Sequence, residues 1–154
     1  MLNLIAVIGG REASEELLGM AEQVGQLIAR QGAVLLCGGL TGIMEAAARG
    51  AAAANGLTVG LLPGQTKNEA NPYIMVPIAT GLGLARNAII TQAADAVIAI
   101  GGAYGTLSEI AFALQFDKVV VGLNTWNIKG ILKAATAEEA VSMALNRIQT
   151  QRPL

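Results

Sequence analysis

Apolar strands and helical stretches alternate along the whole chain, and this alternation most restricts what it can fold into. Strand candidates are Leu2–Ile8, Ala33–Cys37, Leu57–Leu61, Tyr73–Pro77, Ala96–Ile100 and Lys118–Gly122. Most are rich in Val, Ile and Leu without polar alternation, as strands buried on both faces must be. Helix candidates lie between them at Ser14–Gln31, Gly42–Asn55, Gly83–Ala94, Thr106–Phe116 and Thr136–Thr150. Gln31-Gly32 and Asn55-Gly56 carry the residues that stop helices. A β-α-β-α-β series of this kind implies a largely parallel sheet between two helical layers, joined by right-handed crossovers. With 154 residues the chain is expected to form one domain over 1–154. Pro77 ends or demotes its short strand. Pro63–Pro72 is the longest irregular connection and the candidate for a mobile flap. The alanine-rich Ala46–Ala54 is expected to be a helix lying close to the sheet or to another subunit.

Composition narrows the chemistry. The chain has no histidine, so Ser-His-Asp and Cys-His devices are impossible. Its one cysteine, Cys37, cannot form an internal disulfide and reads as a small buried filler, and no metal site is expected. A net charge of -1, with no basic run, argues against nucleic acid or an acidic membrane as partner. No apolar stretch reaches the roughly 18–20 residues that span a bilayer. Met1–Ile8 lacks the basic start of a signal peptide and reads as a strand. The expected location is the cytoplasm.

Three strands run into glycine turns: Gly9-Gly10, Gly38-Gly39 with Thr41-Gly42, and Gly101-Gly102 with Gly105-Thr106. Ligands of open parallel sheets bind beyond the carboxyl ends of the strands, so the three turns can surround one crevice. Glycines there let backbone N–H groups approach an anion, and a helix N-terminus adds its positive dipole end. The predicted guest is a phosphorylated small molecule. The third turn, Gly102-Ala103-Tyr104-Gly105-Thr106, leads to Glu109, a carboxylate placed for work on such a ligand. Thr106-x-x-Glu109 also has the form of a helix capping box, as does Thr136–Glu139. Tyr104 could stack on a base or cover the crevice. Arg86 follows a flexible Thr80–Gly83 approach in an apolar neighbourhood, where its planar guanidinium suits a phosphate or carboxylate. Asn87 beside it offers a donor and an acceptor. Glu45 reads as dipole compensation in the first turn of its helix.

Taken together, Gly38–Met44, Arg86 and Gly102–Glu109 resemble the cytokinin-activating LOG proteins, the "lysine decarboxylase-like" superfamily with the signature Pro-Gly-Gly-x-Gly-Thr-x-x-Glu and an upstream Arg-Lys pair. The resemblance covers nearly the whole chain and implies a Rossmann-like fold, here expected with strand order 3-2-1-4-5-6. In that superfamily the arginine and the final glutamate serve N-glycosidic cleavage of a nucleoside monophosphate; by motif these roles fall on Arg86 and Glu109, with the glycine turn and Thr106 holding phosphate. The chain departs from the enzymes at Gly101 in place of proline, Ala103 in place of glycine, Asn87 in place of lysine, Glu45 in place of glycine and Ser108 in place of a first glutamate. Those departures are more similar to the molybdenum cofactor carrier branch. The resemblance therefore implies a carrier or storage protein for molybdenum cofactor (molybdopterin). The alternatives are a phosphoribohydrolase of nucleoside 5′-monophosphates and a nucleotide-sensing module. It also implies a homodimer or homotetramer. The expected ligand contacts are Gly9, Gly10, Gly38, Gly39, Thr41, Gly42, Arg86, Asn87, Gly102, Ala103, Tyr104, Gly105, Thr106 and Glu109.

Overall fold

The computed structural model describes residues 1–151; residues 152–154 of the expected domain lie outside the described residues. The strands are β1 (Leu4–Gly9), β2 (Val34–Cys37), β3 (Thr58–Leu62), β4 (Val76–Ala79), β5 (Ala96–Ile100), β6 (Val119–Leu123) and β7 (Leu132–Lys133). The helices are α1 (Glu15–Arg30), α2 (Ile43–Ala53), α3 (Arg86–Ala93), α4 (Tyr104–Gln115) and α5 (Ala137–Gln151). All neighbouring strands pair in parallel, in one Rossmann-like sheet of order β4-β3-β2-β1-β5-β6-β7. Helices α1, α2 and α5 cover one face over a core that includes Ile5, Val7, Leu35 and Ile98. Helices α3 and α4 cover the other, over Ala6, Ile8, Val97 and Ala99. Successive β1 residues thus serve opposite layers, which is why the strand shows no polar alternation.

The order corrects the expected 3-2-1-4-5-6. The Tyr73–Pro77 segment does not insert beside β1; it leads into β4, which pairs with β3 at the sheet edge. The reason is local. Thr58, fully buried at the start of β3, donates its hydroxyl to the Tyr73 carbonyl (2.7 Å) and accepts from the Met75 N–H (2.8 Å). At the other end the Thr80 hydroxyl donates to the Leu62 carbonyl (2.7 Å). These two latches fix β4 against β3, and an edge is where Pro77, which lacks an N–H, is tolerated. β7 is a short addition on the opposite edge.

The connection before β4 is more tied down than a free flap. It carries a 3-10 turn at Lys67–Glu69. At its end the buried Asn71 donates to the Leu40 carbonyl (2.8 Å) and, through its backbone, to that of Gly39 (2.9 Å). The alanine-rich helix α2 packs within the chain. A Cβ on Gly25 of α1 would meet the Ala47 carbonyl oxygen, and one on Gly50 of α2 the Glu22 carbonyl oxygen, both at 1.9 Å. The small residues of α1 and α2 therefore permit backbone-to-backbone contact between the two helices.

Candidate functional site

After β4 the chain crosses to the other side of β1 to form β5, so the order reverses between these two strands. Their carboxyl ends form the crevice in which open α/β sheets hold ligands. A cleft of about 240 Å³ lies there, lined among others by Gly9, Gly10, Arg86, Asn87, Ala103, Gly105, Thr106 and Glu109. These come from the end of β1, the start of α3 and the start of α4. Arg11, Met44 and Leu84 line it too. None of these three was expected, although Arg11 directly follows the first glycine pair, the one cue that could have found it.

The remaining expected contacts sit around the cleft rather than on it. Gly38 lies against Arg86: a Cβ there would stand 2.8 Å from both terminal guanidinium nitrogens, so only glycine leaves the arginine its place. Gly39 packs on Gly60 and Leu62, and its carbonyl accepts from Asn71. Gly42, at φ +70°, is pressed against Gly10 and Arg11, and the following Ile43 N–H donates to the Gly10 carbonyl (3.0 Å). The Thr41 hydroxyl donates to the Arg11 carbonyl (3.3 Å). The second glycine turn thus supports the first, and Met44, just beyond it, reaches the cleft wall.

The third turn differs from its sequence reading in one respect. Helix α4 starts at Tyr104, with Ala103 as its N-cap and no side chain capping it. Thr106 and Glu109 therefore lie inside the helix, not at its cap, and the capping-box reading fails here. At α5 it holds in form: the Glu139 N–H donates to the Thr136 hydroxyl (3.1 Å) and the Glu139 carboxylate accepts from the Ala135 N–H (2.8 Å). The difference comes from Gly102, at φ +103°, whose missing Cβ would overlap the Thr106 side chain. That tight turn lets the helix begin two residues early and leaves its first N–H groups without a side-chain partner beside the cleft.

Arg86 is the buried cation of the site. It is 5% exposed, donates to the Asn87 side-chain oxygen (2.6 Å) and the Gly38 carbonyl (3.3 Å), and leaves its Nε without a partner. It is a buried residue and not a solvated helix-end cation. Burial lowers its pKa, partly offset by the charge of Glu109. Glu109 is 7% exposed, and burial raises its pKa to about 7 against the opposing pull of Arg86. No ion pair joins the two among the described residues. Below neutrality the carboxyl is protonated and the cleft, with Arg86 and Arg11, is net positive. Cys37 lies beneath, fully buried, its thiol pushed up to about 11 by burial; it is filler, as expected. An uncapped helix start, an arginine short of one acceptor and a carboxyl that is neutral below pH 7 have the chemistry to accept an anion and one further polar group.

Sequence and structure comparisons agree with this architecture. The molybdenum cofactor binding protein from the phototrophic bacterium Rippkaea orientalis is 37% identical, with a TM-score of 0.92 over 96% of this chain and 98% of that one. The molybdenum cofactor carrier protein of Chlamydomonas reinhardtii is 32% identical, with a TM-score of 0.86 over 98% of this chain and 100% of that one. An uncharacterised protein of Archaeoglobus fulgidus is 46% identical over 92% of this chain and 94% of its own. Residues 2–151 match the SLOG cluster4 family, and the chain belongs to that family.

Proposed function

We propose that this protein binds a phosphorylated small molecule in the β1–β5 crevice and that its cargo is molybdenum cofactor, held for storage or transfer. The observation that carries the reading is the buried Arg86, whose Nε lacks an acceptor, beside the uncapped start of α4. A phosphate would take N–H groups of that helix start and the charge of Arg86 and Arg11. Glu109, neutral in the anion's presence, would donate a hydrogen bond. The likeness to two molybdenum cofactor proteins supports the choice of cargo. The decisive test is native mass spectrometry of protein purified from hosts with and without molybdenum cofactor synthesis. A mass increment present only in the first host supports the proposal; identical masses refute it.

A second reading rests on Glu109. A carboxyl raised to about 7 in a cleft beside an arginine is what a hydrolase of nucleoside monophosphates would use. Under the carrier reading AMP stays intact. Release of adenine and ribose 5-phosphate on the order of 1 per second, lost in Glu109→Ala, would replace the carrier with an enzyme.

A further inference from the structure

Tyr104 is the first residue of α4, yet it is 81% exposed. Trp126, on the loop after β6, lies 6.3 Å from it between ring centroids at an interplanar angle of 31°. That distance is within the range of favourable aromatic pairs. The tryptophan is not loosely placed. Its indole N–H donates to the Ala103 carbonyl (3.2 Å), and the neighbouring Thr125 hydroxyl donates to the Gly101 carbonyl (2.6 Å). Two hydrogen bonds thus fasten the loop to the glycine turn. Beyond Trp126 a second cleft of about 260 Å³ carries Asn124, Asn127 and Lys133. Ala103 is the hinge of the arrangement: its side lines the Arg86 cleft, and its carbonyl holds the indole.

The Arg86 cleft, at about 240 Å³, is smaller than the roughly 300–1,000 Å³ that encloses a drug-sized ligand. It suits a phosphate and a short polar segment, and a fused ring system needs room elsewhere. We propose that Tyr104 and Trp126 form the stacking shelf for a planar heteroaromatic ring, so that the ligand class is a phosphorylated purine or pterin lying across the glycine turn. The inference rests on the phosphate site proposed above. The ring stacks on the aromatic pair, and Asn124, Asn127 and Lys133 meet its polar edge. Every heterocycle offers a π-face, so the shelf gives affinity, while the amide and ammonium groups discriminate.

Trp126 is the chain's one tryptophan, so its emission reports on the shelf directly. The probes are AMP, a pterin monophosphate and ribose 5-phosphate, which carries the phosphate without a ring. AMP or the pterin should quench the emission in step with occupancy measured by calorimetry, and the tighter of the two identifies the ring. Ribose 5-phosphate should bind without quenching. Tyr104→Ala, at an exposed position, should weaken the ring-bearing probe about tenfold and leave ribose 5-phosphate unchanged. Trp126→Phe, which keeps a ring but loses the indole donor, should weaken it less. If ribose 5-phosphate binds while neither ring-bearing probe quenches or gains affinity, the shelf is refuted and the phosphate site stands. If no probe binds at millimolar concentration, both fail. If Tyr104→Ala instead lowers the oligomer mass by light scattering, the aromatic pair belongs to a subunit contact and the proposal is overturned.

Discussion

Arg86 keeps a full charge where water has been almost entirely removed, so its worth to the fold and its worth to a ligand can be separated. Its hydrogen bonds to Gly38 and Asn87 offset the desolvation of the guanidinium, and the unmatched Nε leaves the balance incomplete. Replacing a buried, partly satisfied ion by an apolar residue of similar volume is often neutral. Arg86→Met is therefore expected to change the unfolding free energy by no more than about 1 kcal/mol. It should weaken phosphate-ligand affinity by about ten- to a hundredfold, the worth of one charge-assisted hydrogen bond. Denaturant melts without ligand and calorimetry with it give the two numbers; normal binding with early melting would make the arginine structural. Glu109 gives a pH signature. Its carboxyl titrates near 4.5 when unfolded and near 7 when folded, so the folded state holds the extra proton between those values. Stability from this group is complete below pH 4.5, falls as pH rises through 7, and is flat above; the difference is on the order of 3 kcal/mol. Glu109→Gln should remove that slope from melts taken between pH 4.5 and 7.5. An unchanged slope would mean that the carboxyl is not buried as described.

At the scale of elements, glycine has opposite meanings at two positions of one helix. Gly25 of α1 faces the α2 backbone at a distance that admits no Cβ, whereas Gly19, on the same helix, has nothing within 4 Å of where its Cβ would be. Gly25→Ala is expected to force the helices apart at a cost of about 1–3 kcal/mol or more. Gly19→Ala should stabilise by about 0.5–1 kcal/mol, because alanine loses less backbone freedom in a helix. Equal effects in thermal melts would contradict the crossing geometry. The same two-sidedness explains how much could be read from residue types. The buried strands were legible because apolar runs such as Ala96–Ile100 have no other use, and the gathering of Arg86, Asn87, Thr106 and Glu109 at one cleft was legible because chemistry-bearing residues flanked glycine turns. The place of β4 was not, since it depends on the buried Thr58 hydroxyl bonding to residues fifteen and seventeen positions ahead. Nor was the early start of α4: Thr106-x-x-Glu109 matches a capping box, and only the left-handed turn at Gly102 moves the helix boundary past it. That Gly39, Thr41 and Gly42 bond to neighbouring turns was not legible, because a βα turn's composition does not reveal whether its amides face a crevice or another turn. Trp126 had no signal at all, being joined to the site by one hydrogen bond across the sheet's end.

Among the described residues the α3–α4 layer carries apolar side chains without an internal partner, whereas the alanine-rich helix, expected close to the sheet or to another subunit, is covered within the chain. Helix α2 is consumed by its contact with α1. Exposed instead are Ile89 on α3 and Phe112 on α4, each about two-fifths accessible, with Leu82 and Leu84 on the approach to α3 and Val76 and Ile78 on β4. Phe112 stacks on Phe116 at 6.1 Å, and Phe116 joins Ala88, Ile89 and Ala93 around an open apolar hollow between the two helices. A single exposed leucine needs no explanation, but Ile89 and the Phe112–Phe116 pair gathered at one apolar hollow between α3 and α4 do. Pairing two copies face to face across α3 and α4 would bury the set by a two-fold operation, the commonest route to closed symmetry. It would also bring Leu84, at the rim of the Arg86 cleft, to the subunit boundary. The expected mass by light scattering at micromolar concentration is therefore at least twice the chain's 15.7 kDa. Ile89→Glu combined with Phe112→Glu should reduce it to the single-chain value while leaving the far-ultraviolet circular dichroism unchanged, because both side chains already reach solvent in the isolated chain. A wild-type mass of one chain would refute self-association. An oligomer untouched by the double substitution would move the interface off the α3–α4 layer.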